Sequence, residues 1–399
     1  MTEFKKSQRY RVVIISPSGA GGQAEYVNQY VSAVSKAAIN YNIKVELLTG
    51  IDIEKRFQAT NYEIHPVLPA FDSENSGSIL PRVLTWNWLQ LRRDSLCISW
   101  LNENKDVDAV HFQEFDHLTT NLQLWRYKNR LKKVFLTVHN IFPHKYPPII
   151  PHSLIRAYTK MSWRSFDTLF VHSESLKESL TKFLGRNHPP IKVIPHGIFS
   201  PPCSVLENNL TTRLERRKAL FFGNIRANKG LHIALAAMGF LNDFELTIAG
   251  GVLDSAYWNE TVMPMISSLR QNGAKIELIP EFIPEDSLCK LFAEHSFVLL
   301  PYTKGFEAQS GVLHMAIALK TPLVVTDVGA LGEIVSMRGI GEIANPEDPE
   351  QLAHAVRKLY QWDPEQLSDN LDVANKQLSW DEAARVTVNS YLAQLTAPC

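Results

Sequence analysis

The chain has 399 residues, which is more than one typical core needs and suits two α/β domains. Its 41 basic and 41 acidic residues cancel, so no overall charge favours nucleic acid as a partner. No apolar run approaches the length of a membrane span, and the polar start MTEFKKSQRY does not resemble a secretory signal. Four widely scattered cysteines predict neither a metal motif nor a disulfide framework, and we expect a cytosolic protein.

The first half of the chain alternates short β-branched runs with helical stretches, which predicts a parallel sheet covered on both faces. The strand candidates are 11–16, 44–48, 109–112, 133–138, 168–172 and 192–195. A glycine-bearing loop, 17–22, precedes a predicted helix at 24–38. Its glycines allow a ligand to approach the backbone, but it lacks the G-x-G-x-x-G and Lys-Ser/Thr patterns, so a purely structural turn is the alternative.

His139 comes directly after the strand candidate 133–138. At the carboxyl end of a parallel strand an imidazole can hydrogen-bond a sugar hydroxyl or transfer a proton, whereas the alternative is a histidine that only closes a loop. The weaker candidates at other strand ends and in loops are His111, His117, His144, His172 and His196. These histidines do not have the spacing of a metal site.

A second series of strands follows a segment without periodicity. That segment, 199–217, contains Pro201-Pro202 and paired asparagines, which predicts a linker. The later strand candidates are 219–222, 244–249, 275–278, 297–300 and 323–326. Two doubly wound domains, 1–198 and 218–380, would place their ligands at the carboxyl ends of the strands, so the cleft between them is the expected active site.

Two cations follow the first strand candidate of the second half. Arg226 and Lys229 lie three residues apart, close enough for both to reach one diphosphate. Arginine would bind the oxygens in a fork and lysine would add a point charge. The alternative is a pair of solvated loop cations.

The strand candidate 297–300 is followed by a polar loop that contains Glu307 and then by a helix that starts at Ser310-Gly311. The first amides of that helix, including that of Val312, and its dipole favour an anion. A carboxylate at Glu307 could accept hydrogen bonds from sugar hydroxyls or stabilise positive charge at an anomeric carbon. An ordinary βαβ unit would explain everything here except the glutamate and the polar loop.

A segment at 124–133, LWRYKNRLKK, alternates aromatic and basic residues, and Trp86 and Trp88 lie in another amphipathic stretch. Basic and aromatic side chains favour a membrane surface, so either stretch could make a peripheral membrane contact. A plain solvated helix face is the alternative.

Taken together, these segments resemble the retaining glycosyltransferases of group 1, or family 4, and the resemblance covers nearly the whole chain in motif order. The matching motifs are Gly21-Gly22, Thr137-Val138-His139-Asn140, Val193-Ile194-Pro195-His196-Gly197, Phe222-Gly223 to Lys229-Gly230, the stretch 301–335, Gly341-Glu342-Ile343 to Pro346-Glu347-Asp348, and Ser379-Trp380. The resemblance implies an α/β fold of two Rossmann-like domains facing a cleft, the GT-B type, with a last helix, 381–399, that crosses back onto the first domain.

The resemblance also implies a sugar nucleotide as substrate. Its diphosphate would be bound by Arg226, Lys229 and the start of the helix at Ser310, Gly311 and Val312. Glu307 would contact the donor sugar and His139 the other side of that sugar. Gly21 and Gly22 would lie near the diphosphate and the acceptor.

Three positions depart from the family pattern. Asn224 occupies the usual place of the arginine that binds the diphosphate, so the role of Arg226 is inferred from its reach. Met315 replaces a second glutamate that commonly binds the ribose, and Lys320 replaces a glycine before Thr321-Pro322. A methionine cannot accept the hydrogen bonds of ribose hydroxyls, so the nucleotide stays open.

The expected function is therefore transfer of a hexose from a nucleotide diphosphate sugar to a saccharide or lipid-linked acceptor in polysaccharide or glycoconjugate synthesis, in the cytosol or at the inner face of the membrane. The departing phosphate would act as the base, and no metal is expected. The acceptor would be recognised by loops at 50–80 and 144–152. The alternatives are an epimerase or phosphorylase on the same scaffold, or a non-catalytic saccharide-binding homologue.

Overall fold

The computed structural model describes residues 10–17, 21–53, 61–69, 79–114, 118–141, 151–198, 209–304, 306 and 310–397. The chain divides into two compact units, one comprising residues 1–197 and 380–399 and the other residues 198–379. Each unit is built on one parallel sheet. Among the described residues, no helix combines the length and the apolar character that crossing a bilayer requires.

The sheet of the first unit has seven parallel strands in the order β3-β2-β1-β4-β5-β6-β7. Their bounds are β1 (Tyr10–Ser16), β2 (Ile43–Gly50), β3 (Glu63–Leu68), β4 (Ala109–Phe112), β5 (Lys133–Thr137), β6 (Thr168–Val171) and β7 (Ile191–Val193). Because helices cover both faces, the central strands are buried along their whole length and show no polar alternation.

Two hydrophobic cores lie on opposite faces of this sheet, since Val12 and Ile14 of β1 belong to one and Val13 and Ile15 to the other. The helices of this unit are α1 (Gly21–Ala38), α2 (Ile79–Glu103), α3 (Leu118–Arg130), α4 (His152–Trp163), α5 (Glu174–Leu184) and, from the end of the chain, α15 (Trp380–Leu395). Helices α1 and α15 cover one core, and α2, α3 and α5 cover the other.

The expectation that the last helix returns to the first unit is confirmed. Tyr391 of α15 lies 2.6 Å from Nδ1 of His111, and the Thr387 hydroxyl lies 2.8 Å from that of Tyr30. The helix begins with Trp380, whose ring packs so closely on Gly197 that a β-carbon there would lie 2.0 Å from the indole. Only glycine fits at that point of the chain.

The second unit has six parallel strands in the order β10-β9-β8-β11-β12-β13. Their bounds are β8 (Lys218–Phe222), β9 (Glu245–Ala249), β10 (Lys275–Ile279), β11 (Phe297–Leu300), β12 (Leu323–Thr326) and β13 (Gly341–Ala344). The helices are α6 (Leu210–Glu215), α7 (Leu231–Met238), α8 (Ser255–Tyr257), α9 (Met263–Gln271), α10 (Glu285–Ala293), α11 (Gly311–Ala318), α12 (Leu331–Arg338), α13 (Pro349–Leu359) and α14 (Pro364–Gln377). One π-helical stretch, Trp258–Val262, joins α8 to α9.

The prediction of a linker over 199–217 is wrong for its second half, because α6 is part of the second unit. Leu210 and Leu214 are buried one turn apart, and Arg213 is only 3% exposed. The guanidinium of Arg213 donates to the carbonyl oxygens of Phe292 and His295 at the end of α10 and to the Thr321 hydroxyl. A six-residue helix is too short for its periodicity to appear in the sequence.

Other sequence-based boundaries also need correction. The segment 50–80, expected as a loop, contains strand β3 and the start of α2, while of the loop at 144–152 only residues from 151 lie within the described part. Strand β13 was not predicted as a strand either. Both missed strands lie at sheet edges. Strand β3 is only partly buried, and β13 is mostly buried but begins with Gly341 and Glu342, which weaken its apolar pattern. Cys97 is a free buried thiol, whereas Cys289 is disulfide-bonded, which the scattered spacing did not predict.

Candidate functional site

In the second sheet, the order of the strands reverses between β8 and β11. The connections after these two neighbouring strands leave in opposite directions, which opens a crevice at their carboxyl ends, and ligands of doubly wound sheets bind in such crevices. The loop after β8 carries Arg226 and Lys229, and the segment after β11 leads to Ser310 and α11. The residues predicted to bind a diphosphate are therefore at the crevice of this sheet.

Glycines allow these two connections to touch. Gly230 has a φ of +67°, and a β-carbon there would lie 1.8 Å from the carbonyl oxygen of Pro301, directly after β11. Gly223 has a φ of +108°, and its β-carbon would lie 3.2 Å from the side chain of Val312 in α11. The loop after β8 thus packs on the segment after β11 at one end and beside the start of α11 at the other.

Lys229 has an unusual environment for a lysine. Its Nζ lies 3.8 Å from the ring centroid of Tyr302 and 4.3 Å from that of Phe306, and both rings are almost fully buried. Burial, together with repulsion from Arg226, lowers the pKa of Lys229 to about 7. The aromatic faces favour the protonated amine, so burial outweighs them in the ligand-free protein. A bound anion would favour the protonated form.

The start of α11 is arranged to present backbone amides. Ser310 is 2% exposed, and its hydroxyl accepts from the amide of Leu313 and lies 3.0 Å from the Tyr302 hydroxyl. The first amides of any helix have no hydrogen-bond partner within the helix. Those of Gly311 and Val312 come before the amide of Leu313, which Ser310 caps. Because Tyr302 contacts both Ser310 and Lys229, the basic loop and the helix start form one site.

Met315 lies one turn into α11, on the same side as the exposed Gly311, and is half-buried against the core of the unit. Met315 thus occupies the helical position where the family pattern has a ribose-binding carboxylate. Glu307, which was predicted to contact the donor sugar, lies outside the described residues.

In the first unit, neighbouring strands β5, β6 and β7 are followed by His139, His172 and His196 respectively. We call these three side chains the imidazole cluster. The ring of Tyr26 from α1 lies 5.3, 5.5 and 5.0 Å from them, measured between ring centroids. His139, predicted as a sugar contact, is thus at the carboxyl edge of the sheet and is joined there by two histidines that the sequence gave no reason to favour.

Gly21 and Gly22 were predicted in a loop, but α1 begins at Gly21, so both lie in its first turn. Strand β1 lies beside β4, where the strand order of the first sheet reverses. The start of α1 therefore lies at the crevice of the first sheet. The first amides of a helix have no intrahelical partner.

Two acidic groups resemble metal sites but are bonded to cations. An Asp-x-Asp triplet, Asp106-Val107-Asp108, precedes β4 at the amino edge of the sheet, and both carboxylates accept from Arg11. Glu46, Glu63 and His65 form the one cluster of potential ligands within the described part of the chain, but Arg11 and Lys44 are bonded to Glu46 there. Cations in these positions repel a metal ion.

The predicted residues thus fall into two groups, each within its own unit. Arg226, Lys229, Ser310, Gly311 and Val312 come together in the second unit, and Gly21, Gly22 and His139 lie at the carboxyl edge of the first sheet. The residues missed are Tyr302 and Phe306, whereas Gly230 was noted only as part of a motif and His172 only as a weaker candidate. The sequence YTKGF directly after a buried strand could have indicated the first two.

Two family models match the chain in agreement with this arrangement. The model described as glycosyltransferase family 4 matches residues 4–199, and the model described as glycosyl transferases group 1 matches residues 216–361. The chain belongs to this glycosyltransferase family. The expected resemblance is therefore confirmed.

Family members with curated descriptions match part of the chain. An uncharacterized glycosyltransferase of Methanocaldococcus jannaschii is 29% identical over 236 residues, which are 55% of this chain and 58% of that protein. A glycogen synthase of Mycobacterium tuberculosis is 27% identical over 243 residues, 58% of this chain and 56% of that protein. The chain thus spans less than two thirds of the curated relatives it matches.

Solved structures of similar fold match nearly the whole chain. Sucrose-phosphate synthase from Thermosynechococcus elongatus has a TM-score of 0.69 at 16% identity, over 98% of this chain and 100% of that one. The Anabaena protein HepE in complex with UDP has a TM-score of 0.63 at 14% identity, over 96% of this chain and 99% of that one. These likenesses establish the fold, two Rossmann-like units of the GT-B type, as predicted.

Proposed function

We propose that this family member is a retaining hexosyltransferase that moves a hexose from a nucleotide diphosphate sugar to a saccharide or lipid-linked acceptor. The observation that carries the proposal is the meeting of Lys229, Arg226 and the start of α11 at the crevice between β8 and β11. Two cations and the first amides of a helix at one crevice suit a diphosphate. The UDP and UDP-glucose bound in structures of HepE support the same class of ligand.

In this proposal, catalysis in the second unit is electrostatic. As the bond from the sugar to the diphosphate breaks, negative charge grows on the leaving phosphate. Arg226 and Lys229 would stabilise that charge through their cations, and Gly311 and Val312 through their amides. Retention requires attack from the face that the phosphate leaves, so a phosphate oxygen can take the proton of the acceptor hydroxyl. These groups supply the charge that the step requires, and we expect turnover without added metal.

We assign the sugar contacts to Glu307 and to His139, and we place Gly21 and Gly22 near the diphosphate and the acceptor, following the family pattern. A carboxylate can accept hydrogen bonds from sugar hydroxyls and stabilise an oxocarbenium-like centre. His139 is at the carboxyl edge of its sheet, which is consistent with such a contact.

The nucleotide is the least constrained part of the donor. Met315 borders the start of α11, where a thioether offers only a weak acceptor to ribose hydroxyls. We therefore propose that the nucleotide is held mainly through its diphosphate and its base.

A lipid-linked acceptor would bring the first unit to a membrane surface. Helix α3 contains no acidic residue between 118 and 130, and it carries Arg126, Lys128 and an exposed Trp125. Such a combination suits the interface of an anionic bilayer. Sedimentation with vesicles tests this contact: binding to vesicles with anionic lipid, reduced by Arg126→Ser, supports it, and equal recovery from neutral and anionic vesicles contradicts it.

The transferase proposal is tested with a panel of UDP, GDP and ADP sugars, by thermal shift and by product analysis. A donor raises the melting temperature because it binds only the folded protein, and slow hydrolysis of that donor follows. Arg226→Ala should weaken donor binding by about tenfold or more, whereas Lys290→Ala, on the exposed side of α10, should not. If no sugar nucleotide binds or is consumed, the proposal fails.

A further inference from the structure

The amine of Lys229 differs from most lysines of the second unit in its partners. Six others form ion pairs with carboxylates: Lys218, Lys275, Lys290, Lys304, Lys320 and Lys358. Among the described residues no carboxylate pairs with Lys229, and its Nζ faces the rings of Tyr302 and Phe306 instead. The residue is only partly buried, which leaves the amine accessible.

These surroundings favour an amine without a charge. Burial disfavours an ammonium and the nearby guanidinium of Arg226 repels it, so the pKa of Lys229 is lowered to about 7. About half of these amines therefore hold a lone pair at neutral pH, whereas fewer than about one in a thousand solvated lysines do. A neutral amine is a nucleophile, and an ammonium is not.

Groups suited to a phosphate lie beside this nucleophile, within the same unit. The ring of Tyr302 lies 3.8 Å from the amine, measured to its centroid, and its hydroxyl lies 3.0 Å from that of Ser310 at the start of α11. The first amides of α11 and the cation of Arg226 are at the same crevice. A small molecule held there by its phosphate would have its other end within reach of Lys229.

We propose that Lys229 is a site of covalent acylation by small acyl phosphates, such as acetyl phosphate, which the crevice binds through their phosphate. The lone pair of Nζ attacks the carbonyl carbon and a C–N bond forms, while the C–O bond to the phosphate breaks. The phosphate leaves with that electron pair and takes the proton that the nitrogen loses. The products are an amide and inorganic phosphate. Arg226 and the first amides of α11 stabilise the negative charge of the leaving phosphate.

Acylation changes what the crevice can bind. The amide of an acylated Lys229 is neutral, so it cannot offer a diphosphate the charge-assisted hydrogen bonds of an ammonium. Acyl phosphate and sugar nucleotide would therefore compete for the same groups, and acylation would weaken donor binding. This consequence rests on the proposed function, whereas the acylation itself requires only the phosphate-binding groups.

The site is tested by incubating the full chain with acetyl phosphate at pH 7 and following the acetylation of each lysine by peptide mass spectrometry. Lys229 should react at least about tenfold faster than Lys304, the matched control after β11, whose ammonium is paired with Glu347. Acetic anhydride, which carries no phosphate, is used in parallel to measure the reactivity of the amine alone. In Arg226→Ala, the rate at Lys229 with acetyl phosphate should fall about tenfold relative to the rate with acetic anhydride.

Either equal rates at Lys229 and Lys304 or an unchanged ratio of the two reagents in Arg226→Ala overturns the proposal. Inorganic pyrophosphate should protect Lys229 and leave the rate at Lys304 unchanged, and a failure to protect counts against a shared phosphate site. Selective acetylation in a protein that consumes no sugar nucleotide supports the acylation site and contradicts the transferase proposal. Turnover of a sugar nucleotide without selective acetylation supports the transferase and overturns the acylation site.

Discussion

Donor binding should depend steeply on pH above neutrality, because of Lys229. Burial and the nearby Arg226 lower the pKa of its amine to about 7 in the ligand-free protein. A diphosphate beside the amine favours the charged form and raises that pKa again. Binding above pH 7 therefore takes up a proton, whereas binding below pH 7 finds the amine already charged.

The size of the effect follows from the fraction of charged amine. With a ligand-free pKa of about 7, the affinity should fall about tenfold for each pH unit above 7 and stay nearly level below it. A sugar nucleotide should bind roughly 30-fold more weakly at pH 8.5 than at pH 6. The donor contributes nothing to this slope, because neither phosphate of a sugar diphosphate ester titrates in that range.

Isothermal titration calorimetry in two buffers of different ionisation enthalpy measures both the affinity and the proton uptake. Nearly one proton per donor should be taken up at pH 8.5 and almost none at pH 6. Lys229→Arg is the matched control, since a guanidinium stays charged throughout and should make the profile level. A level profile for the wild-type protein, or the same slope in the arginine variant, would refute the reasoning.

Four further outcomes follow from the described contacts. Met315→Glu should add hydrogen bonds to the ribose hydroxyls and strengthen nucleotide binding by about 1.5–3 kcal/mol. The variant should then bind ribose nucleotides more tightly than 2′-deoxyribose nucleotides, and equal affinities for the two would contradict the prediction. Gly230→Ala puts a β-carbon against Pro301 at positive φ and should lower the free energy of unfolding by at least about 2 kcal/mol in urea titrations, so an unchanged midpoint would contradict the packing. Arg213→Met leaves the buried carbonyl oxygens of Phe292 and His295 without a donor and should lower the free energy of unfolding by about 3 kcal/mol in the same assay. An unchanged free energy of unfolding would contradict the buried position of this arginine. Burial alone would raise the pKa of Glu46, but its hydrogen bonds hold that pKa well below 4.5. The free energy of unfolding should therefore decrease as the pH falls below 4.5, and it should decrease more steeply than in Glu46→Gln. Equal acid dependence of the two proteins would disprove this.

The sequence predicted best those elements whose pattern is set by local burial. Strands β11 and β12 were predicted to the residue, because each is a short apolar run buried on both faces. Strand β3 was missed because it is a half-exposed edge strand that contains Pro66. Helix α6 was missed because six residues are too few for the spacing of Leu210 and Leu214 to stand out, and because the partners of Arg213 are distant in sequence.

The site was predicted where residue type alone carries the chemistry, as for Lys229 and the start of α11. The environment of Lys229 was not, because Tyr302 and Phe306 reach it from a segment about 70 residues away along the chain. The hydrogen bond between His139 and His172 depends on two neighbouring strands ending level with each other, which residue pattern alone does not specify.

The return of α15 to the first unit has a consequence for the order of folding during synthesis. Residues 198–379 form a contiguous unit and can complete their core as soon as they leave the ribosome. The first unit is made earlier but cannot finish covering one face of its sheet until Val388, Tyr391 and Leu395 of α15 join α1 there. The half of the protein that is translated first should therefore be the half that finishes folding last, with its sheet exposed to chaperones while the second unit is being made.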